Sequence, residues 1–184
     1  AICLQGHSPG MHISLARPIY DGDEELISGG RDFGIQAVNR GYAALVMEQR
    51  AFGERKYLRN SERHGCIHAS MVELLMGRTM ISARSWDVSR AIDILGEFEG
   101  VDPGKIICMG NSGGGTITFF ASCLDERISA SMPSCYFCKM EDSIGRIDHC
   151  VDNYVPGILK WFDLPDLTCL IAPRPLVVVA GETD

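Results

Sequence analysis

The stretch IICMGNSGGGTITFF, residues 106–120, sets four glycines and one serine between an apolar run and a segment that reads as a helix. Gly110-Asn111-Ser112-Gly113-Gly114 fits G-x-S-x-G, and it sits at a strand-to-helix junction, the setting in which this pattern lifts a serine hydroxyl clear of a sheet. Glycines on either side let strand and helix approach at a strained turn. The first helical turn supplies free N–H groups and partial positive charge suited to a developing oxyanion. Two phosphate-binding patterns share this setting and fail on the residues. A Walker loop counted from Gly110 reaches Gly115, but Thr116 stands where its lysine must be; the dinucleotide pattern meets Ser112 at its second glycine, or Thr118 in the register starting from Gly113. A purely structural glycine turn is the remaining alternative.

Outward from this turn the chain alternates strands and helices. Toward the N-terminus, AICL and YAALVME read as buried strands, with a helix expected over about 28–39 that Gly41 ends. A helical pattern covers about 71–98 with a break near Gly77, and Trp86, Ile92 and Leu95 share one face of it. Beyond the serine turn, a helix to about Cys123, a strand ISASMP, an insertion over about 134–175 with two or three short helices, and a strand LVVVAG follow. Such alternation implies an α/β fold with a mostly parallel sheet, whose ligands bind beyond the carboxyl ends of the strands. There lies QGHSPG, residues 5–10, where Gly6 permits close approach and the His7 N–H is placed to join that of Gly113 in an oxyanion hole.

The 184 residues are 46% hydrophobic, which suits one domain with a substantial core, and no apolar run is long enough to span a membrane. A formal charge of −7 with scattered basic residues argues against nucleic acid and leaves small molecules or neutral polymers as partners. Several of the eight cysteines fall inside apolar runs, where a free thiol behaves as a small hydrophobe; this favours a reducing, cytoplasmic compartment, with secretion as the alternative. Cys135 and Cys138, with His149 and Cys150 downstream, have a loose metal-like spacing. Adjacent His149 and Cys150 are poor geometry for two ligands of one ion, so buried thiols or an occasional disulfide are favoured over zinc.

The segments GYAALVMEQRAFGER, VDPGKIICMGNSGGG, PSCYFCKMEDSI, HCVDNYVPGILKWFDLPDL and IAPRPLVVVAGETD resemble the acetyl xylan esterase and cephalosporin deacetylase-like branch of the α/β-hydrolases, near the dienelactone hydrolases. The resemblance covers nearly the whole chain. It implies a three-layer α/β-hydrolase fold and a serine-dependent carboxylic ester hydrolase that removes small acyl groups, acetyl foremost, from a carbohydrate or similar scaffold. No metal or organic cofactor is implied. Ser112 is the expected nucleophile, Gly113 and His7 the oxyanion donors, and Asp184 the triad acid, from the family's G-x-x-D turn, with Glu182 a weaker substitute.

The triad of this fold runs serine, acid, histidine along the chain. His7, His12, His64, His68 and His149 all precede Asp184, so the base is absent from these residues. The chain is therefore expected to be a fragment, weakly active at best, with earlier strands before Ala1 and the histidine loop and final helix beyond Asp184. His149 is expected to cap, pack or line the pocket, and His64 and His68 to lie on a surface loop. Tyr136, Phe137, Trp161 and Phe162 are candidates to shape the pocket, and Arg50 and Glu54 to face its mouth or pair with each other. A serine peptidase of the same fold and a non-catalytic hydrolase-fold protein are the rival readings, and a homo-oligomer is compatible with the sequence.

Overall fold

Four parallel strands, β1 (Ile2–Leu4), β2 (Leu45–Met47), β3 (Ile106–Asn111) and β4 (Ile128–Ser134), pair in the order β2-β1-β3-β4. They belong to a computed structural model that describes residues 1–7, 9–56 and 65–181. Ile2 is in register with both Leu45 and Cys108, so β1 lies between β2 and β3. Its three residues, Ile2, Cys3 and Leu4, are 0% exposed, which requires cover on both faces of the sheet.

The helices are α1 (Asp23–Leu26), α2 (Phe33–Asn39), α3 (Gly65–Leu75), α4 (Met80–Leu95) and α5 (Gly113–Leu124), of which α4 and α5 cover one face and α2 the other. Ile81, Val88 and Ile92 of α4 and Ile117, Phe119 and Phe120 of α5 join Ile2, Leu4, Ile106 and Cys108 in one buried cluster. On the opposite face α2 meets β2 so closely that a Cβ on Gly34 would lie 2.6 Å from Val46 Cγ2. The result is three layers. Gly77, at φ 71°, separates α3 from α4 as its place in the pattern predicts. Thr79 and Ser82 then start α4 with a reciprocal capping box, each hydroxyl accepting the other's backbone N–H at 3.1–3.2 Å.

The structure departs from the sequence reading in several places. The α-helix expected from residue 28 begins at Phe33, because Gly30 takes φ 79° and interrupts the helical path. Trp86 is 57% exposed beneath the Arg90 guanidinium, 4.2 Å from its ring centre, and the inward row of α4 is Ile81, Val88 and Ile92. Helix α3 already includes His68, which is exposed on a helix and not on a loop; His64 lies outside the described residues. The LVVVAG run joins β4 through only two bridges, Ser131 with Leu176 and Ser134 with Val179, and forms an edge with Val177–Val179 half-exposed.

The segment between β4 and that edge contains four 3-10 turns, Met140–Asp142, Val151–Asn153, Ile158–Lys160 and Asp166–Leu170. Leu164 and Ile171 from it are buried in the same core, so α5 is enclosed by the sheet on one side and this segment on the other. An apolar helix without a polar face needs such enclosure. Cys3 and Cys108 are buried hydrophobes whose thiols burial pushes up to about 11 and about 12. Among the described residues no helix is long and apolar enough to cross a membrane.

Phe119 is fully buried and packs edge-on to Phe120 and against Phe137. Phe119→Ala is expected to destabilise the protein by about 3–5 kcal/mol, read as a lower urea midpoint at unchanged m-value.

Candidate active site

Ser112 stands between β3 and α5 with φ 53° and ψ −120°, a conformation that costs a non-glycine residue about 1–3 kcal/mol. Its surroundings hold it there. The Ser112 amide donates to the Ser134 carbonyl at 2.8 Å, and the Thr116 amide donates to the Ser112 carbonyl at 2.9 Å. Backbone presses in from both neighbouring strands, so that a Cβ on Gly114 would lie 2.2 Å from the Leu4 carbonyl oxygen and one on Gly115 2.4 Å from that of Ser134. Gly6 is equally constrained, with the Asn111 carbonyl oxygen 2.7 Å and Ser112 Cβ 3.0 Å from where its Cβ would be. The loop after β1 thus lies directly against the serine turn.

A cleft of about 180 Å³ opens beside Ser112, lined among others by His7, Gly113, Tyr136 and His149. It lies at the carboxyl ends of the strands, where parallel sheets bind ligands. A larger hollow, about 520 Å³, is lined by Ala1, Leu45 and Ile106 at the opposite ends and gathers no comparable chemistry.

One wall of the cleft is fixed by a buried charge cluster. Arg84 and Asp152 are 2% and 1% exposed at their side chains and pair at 2.7 Å. Arg84 also donates to the Arg50 carbonyl and covers the Phe52 ring, 4.1 Å from its centre. His7 Nε2 bonds the same Asp152 oxygen at 3.1 Å. Burial opposes the imidazolium, but the hydrogen bond and charge of Asp152 outweigh it and hold the His7 pKa up at about 9. Asp152 is likewise disfavoured by burial, yet the His7 hydrogen bond and the Arg84 charge keep it well below the usual carboxylate range. The His7 ring lies against the serine turn, since a Cβ on Gly113 would be 3.1 Å from both Nδ1 and Cε1. A positive charge therefore stands next to the first amides of α5.

His149 differs from His7. Burial lowers its pKa, and its Nδ1 lies 3.2 Å from Asn153 Nδ2, while the Asn153 Oδ1 accepts from Thr116 Oγ1 at 2.9 Å. Thr116 and Asn153 thereby join α5 to the Val151–Asn153 turn.

Of the residues singled out in the sequence, Ser112, Gly113, His7, Tyr136 and His149 come together at the cleft. Tyr136 is buried, and among the described residues its hydroxyl has no hydrogen-bond partner. Phe137 packs on Phe119 in the core, away from the cleft lining. Trp161 is 82% exposed and Phe162 42%, and neither lines the cleft, because the turn at Ile158–Lys160 buries Ile158 in their place. Arg50 pairs with Asp87 through two bonds of 2.8 Å and not with Glu54. Asp184 and Glu182 lie outside the described residues. Sequence reasoning missed Arg84 and Asp152; the only signal was an acid and an arginine inside otherwise apolar patterns. It also did not foresee the cysteines that approach each other. The donor atoms of His7, Cys66, Cys150 and Asp152 all lie within 4.8 Å of one another, whereas Cys135 and Cys138 belong to no such group among the described residues.

The sequence model of the acetyl xylan esterase family (AXE1) matches residues 31–163. YtaP of Bacillus subtilis (strain 168), named a hydrolase without firm assignment, is 30% identical over 176 residues, covering 90% of this chain and 56% of its own length. A solved structure from Bacteroides fragilis NCTC 9343, described as a candidate acetyl xylan esterase, superposes with a TM-score of 0.81 at 19% identity, over 98% of this chain and 51% of that one. A CE15 glucuronoyl esterase from Caldicellulosiruptor kristjansonii superposes with a TM-score of 0.61 at 17% identity, over 100% of this chain and 53% of that one. At these identities the structures establish the fold, that of the α/β-hydrolases. The chain spans about half the length of these relatives.

Asp152→Asn is expected to lower the His7 pKa from about 9, measured by NMR titration of the ring protons, and to cost about 3–5 kcal/mol by leaving Arg84 buried without its counter-charge. Because the His7 pKa is raised on folding, its contribution to stability is complete below the unfolded value and disappears as pH rises through about 9. Urea midpoints measured between pH 6 and 10 should show this loss in the wild type and not in His7→Gln.

Proposed function

The chain belongs to the acetyl xylan esterase family, and from that premise we propose that it carries the nucleophile half of a serine esterase that removes small acyl groups, acetyl foremost, from carbohydrate esters. The observation that carries this reading is Ser112, held at φ 53° on the strand-to-helix turn beside a small cleft. About 180 Å³ is well below the ~300–1,000 Å³ of sites for drug-sized ligands, and it suits an acetyl group with the carbohydrate lying outside.

In this reading Ser112 Oγ attacks the acyl carbonyl carbon. The Gly113 and His7 amides receive the oxyanion, each contributing on the order of 3 kcal/mol of transition-state stabilisation. The imidazolium of His7, pinned by Asp152, adds a positive charge to the same place. Asp184 is the triad acid, in the serine, acid, histidine order of this fold, and orients the histidine that serves as general base. The sugar alcohol leaves, an acyl-enzyme remains, and water attacks it to regenerate Ser112. His149 lines the cleft without acting as the base. Tyr136 contributes to the cleft wall, while its hydroxyl is buried, without a partner among the described residues.

In the intact protein a fluorophosphonate probe is expected to label Ser112, with labelling abolished in Ser112→Ala and retained in His149→Ala; labelling that survives Ser112→Ala overturns the assignment. Tyr136→Phe removes a buried, unpaired hydroxyl and is expected to raise the urea midpoint while leaving KM for an acetylated xylo-oligosaccharide within about twofold. A rise in KM of about tenfold would instead assign the Tyr136 hydroxyl to the binding site.

A further inference from the structure

We propose that Cys66 and Cys150 form a disulfide that ties helix α3 to the wall of the Ser112 cleft. Cys66 lies in the first turn of α3 and is 8% exposed, while Cys150 lines the cleft immediately before the Val151–Asn153 turn. Their sulfurs are 2.8 Å apart across 84 residues of chain. Small side-chain rotations bring such a pair to the bonding distance of about 2.05 Å.

A zinc ion is the competing occupant, since His7 Nε2 and Asp152 Oδ2 complete a four-donor set. Two features oppose it. Thiolates bound to tetrahedral zinc at about 2.3 Å stand roughly 3.7 Å from each other, wider than this pair. The Arg84 guanidinium, 2.7 Å from the same Asp152 oxygen, also places a buried positive charge against the position a cation would take.

The two thiols are unequal. Their mutual hydrogen bond lowers the pKa of Cys66 and, together with burial, raises that of Cys150. Exchange with a low-molecular-weight disulfide such as oxidised glutathione starts at Cys150 because that thiol lines the cleft; its raised pKa makes the first attack the slow step, and the more acidic Cys66 suits the second. Cys150 loses its proton and attacks one glutathione sulfur, forming a mixed disulfide and releasing one glutathione thiol. The Cys66 thiolate then attacks Cys150 Sγ and expels the second glutathione as a thiolate, which takes up the remaining proton. Two cysteine thiols are oxidised and one glutathione disulfide is reduced to two thiols.

The consequence falls on the cleft. The turn that follows Cys150 holds Asp152, the partner of His7 and Arg84, and Asn153, the partner of Thr116 and His149. Oxidation anchors that turn to α3, and closing so long a loop also restricts the unfolded chain.

The test uses the full chain and does not depend on which reaction Ser112 performs. After incubation with oxidised glutathione, alkylation in denaturant and non-reducing digestion, mass spectrometry should find the Cys66 and Cys150 peptides joined, at about 2 Da below the sum of their reduced masses. The thermal midpoint should rise by several degrees relative to protein kept in dithiothreitol, and neither Cys66→Ser nor Cys150→Ser should show the rise. Separate alkylation of both cysteines after oxidation, a link from Cys150 to another cysteine, or stoichiometric zinc retained by protein purified without chelator overturns the proposal.

Discussion

The geometry at the carboxyl ends of the strands depends on how closely the first turn of α5 lies against the backbone on both sides of it. At Gly114 and Gly115 the carbonyls of Leu4 and Ser134 occupy the volume of a side chain, and at Gly6 the serine turn itself does. No residue with a Cβ satisfies these contacts. The same closeness explains why Ser112 keeps a conformation that is unfavourable in isolation: its amide is committed to Ser134, and its carbonyl to the helix. The strain is offset by the burial of α5, whose Ile117, Phe119 and Phe120 are held by the sheet and by the segment that follows β4.

A second constraint is the carboxylate of Asp152. It is almost wholly buried and joins three distant parts of the chain: His7 from the loop after β1, Arg84 from α4, and its own turn after residue 150. Such a cluster contributes little net stability relative to an apolar filling, but it is costly to leave incomplete. Its effect is to specify the relative placement of the three segments. It also brings positive charge to the end of α5 that already presents its amides.

The parts of the molecule that were legible in the sequence are those set by local rules. The serine turn follows from five residues at a junction between an apolar run and a helix, and the end of α3 from Gly77. Local rules failed where a distant partner decides. Arg50 and Glu54 are four apart, but Asp87 from α4 takes Arg50 with better geometry. Trp86 falls on the helical row drawn from residue spacing, and Arg90 instead holds it at the surface. Asp152 offered only the faint signal of an acid among apolar residues, because its meaning depends on Arg84, 68 residues away. The aromatic residues of the insertion divided for a similar reason: Tyr136 and Phe137 follow β4 inward, whereas Trp161 sits on a turn that commits Ile158 to the core.

The hydrogen bond from the Ser112 amide to the Ser134 carbonyl has a mechanical meaning. It joins the serine turn to the last residue of β4, and Cys135 and Tyr136 follow at once, with the Cys135 amide bonded in turn to Val179. Ser112 and Tyr136 therefore belong to one rigid body continuous with the sheet, and the distance across that side of the cleft is a fixed gauge. The opposite wall, residues 143–150, rests on turns and side-chain contacts. One side of the cleft therefore takes its position from the main chain of the sheet, and the other from the buried Asp152 cluster and the Thr116–Asn153 bond, so the width between them is set by side chains alone.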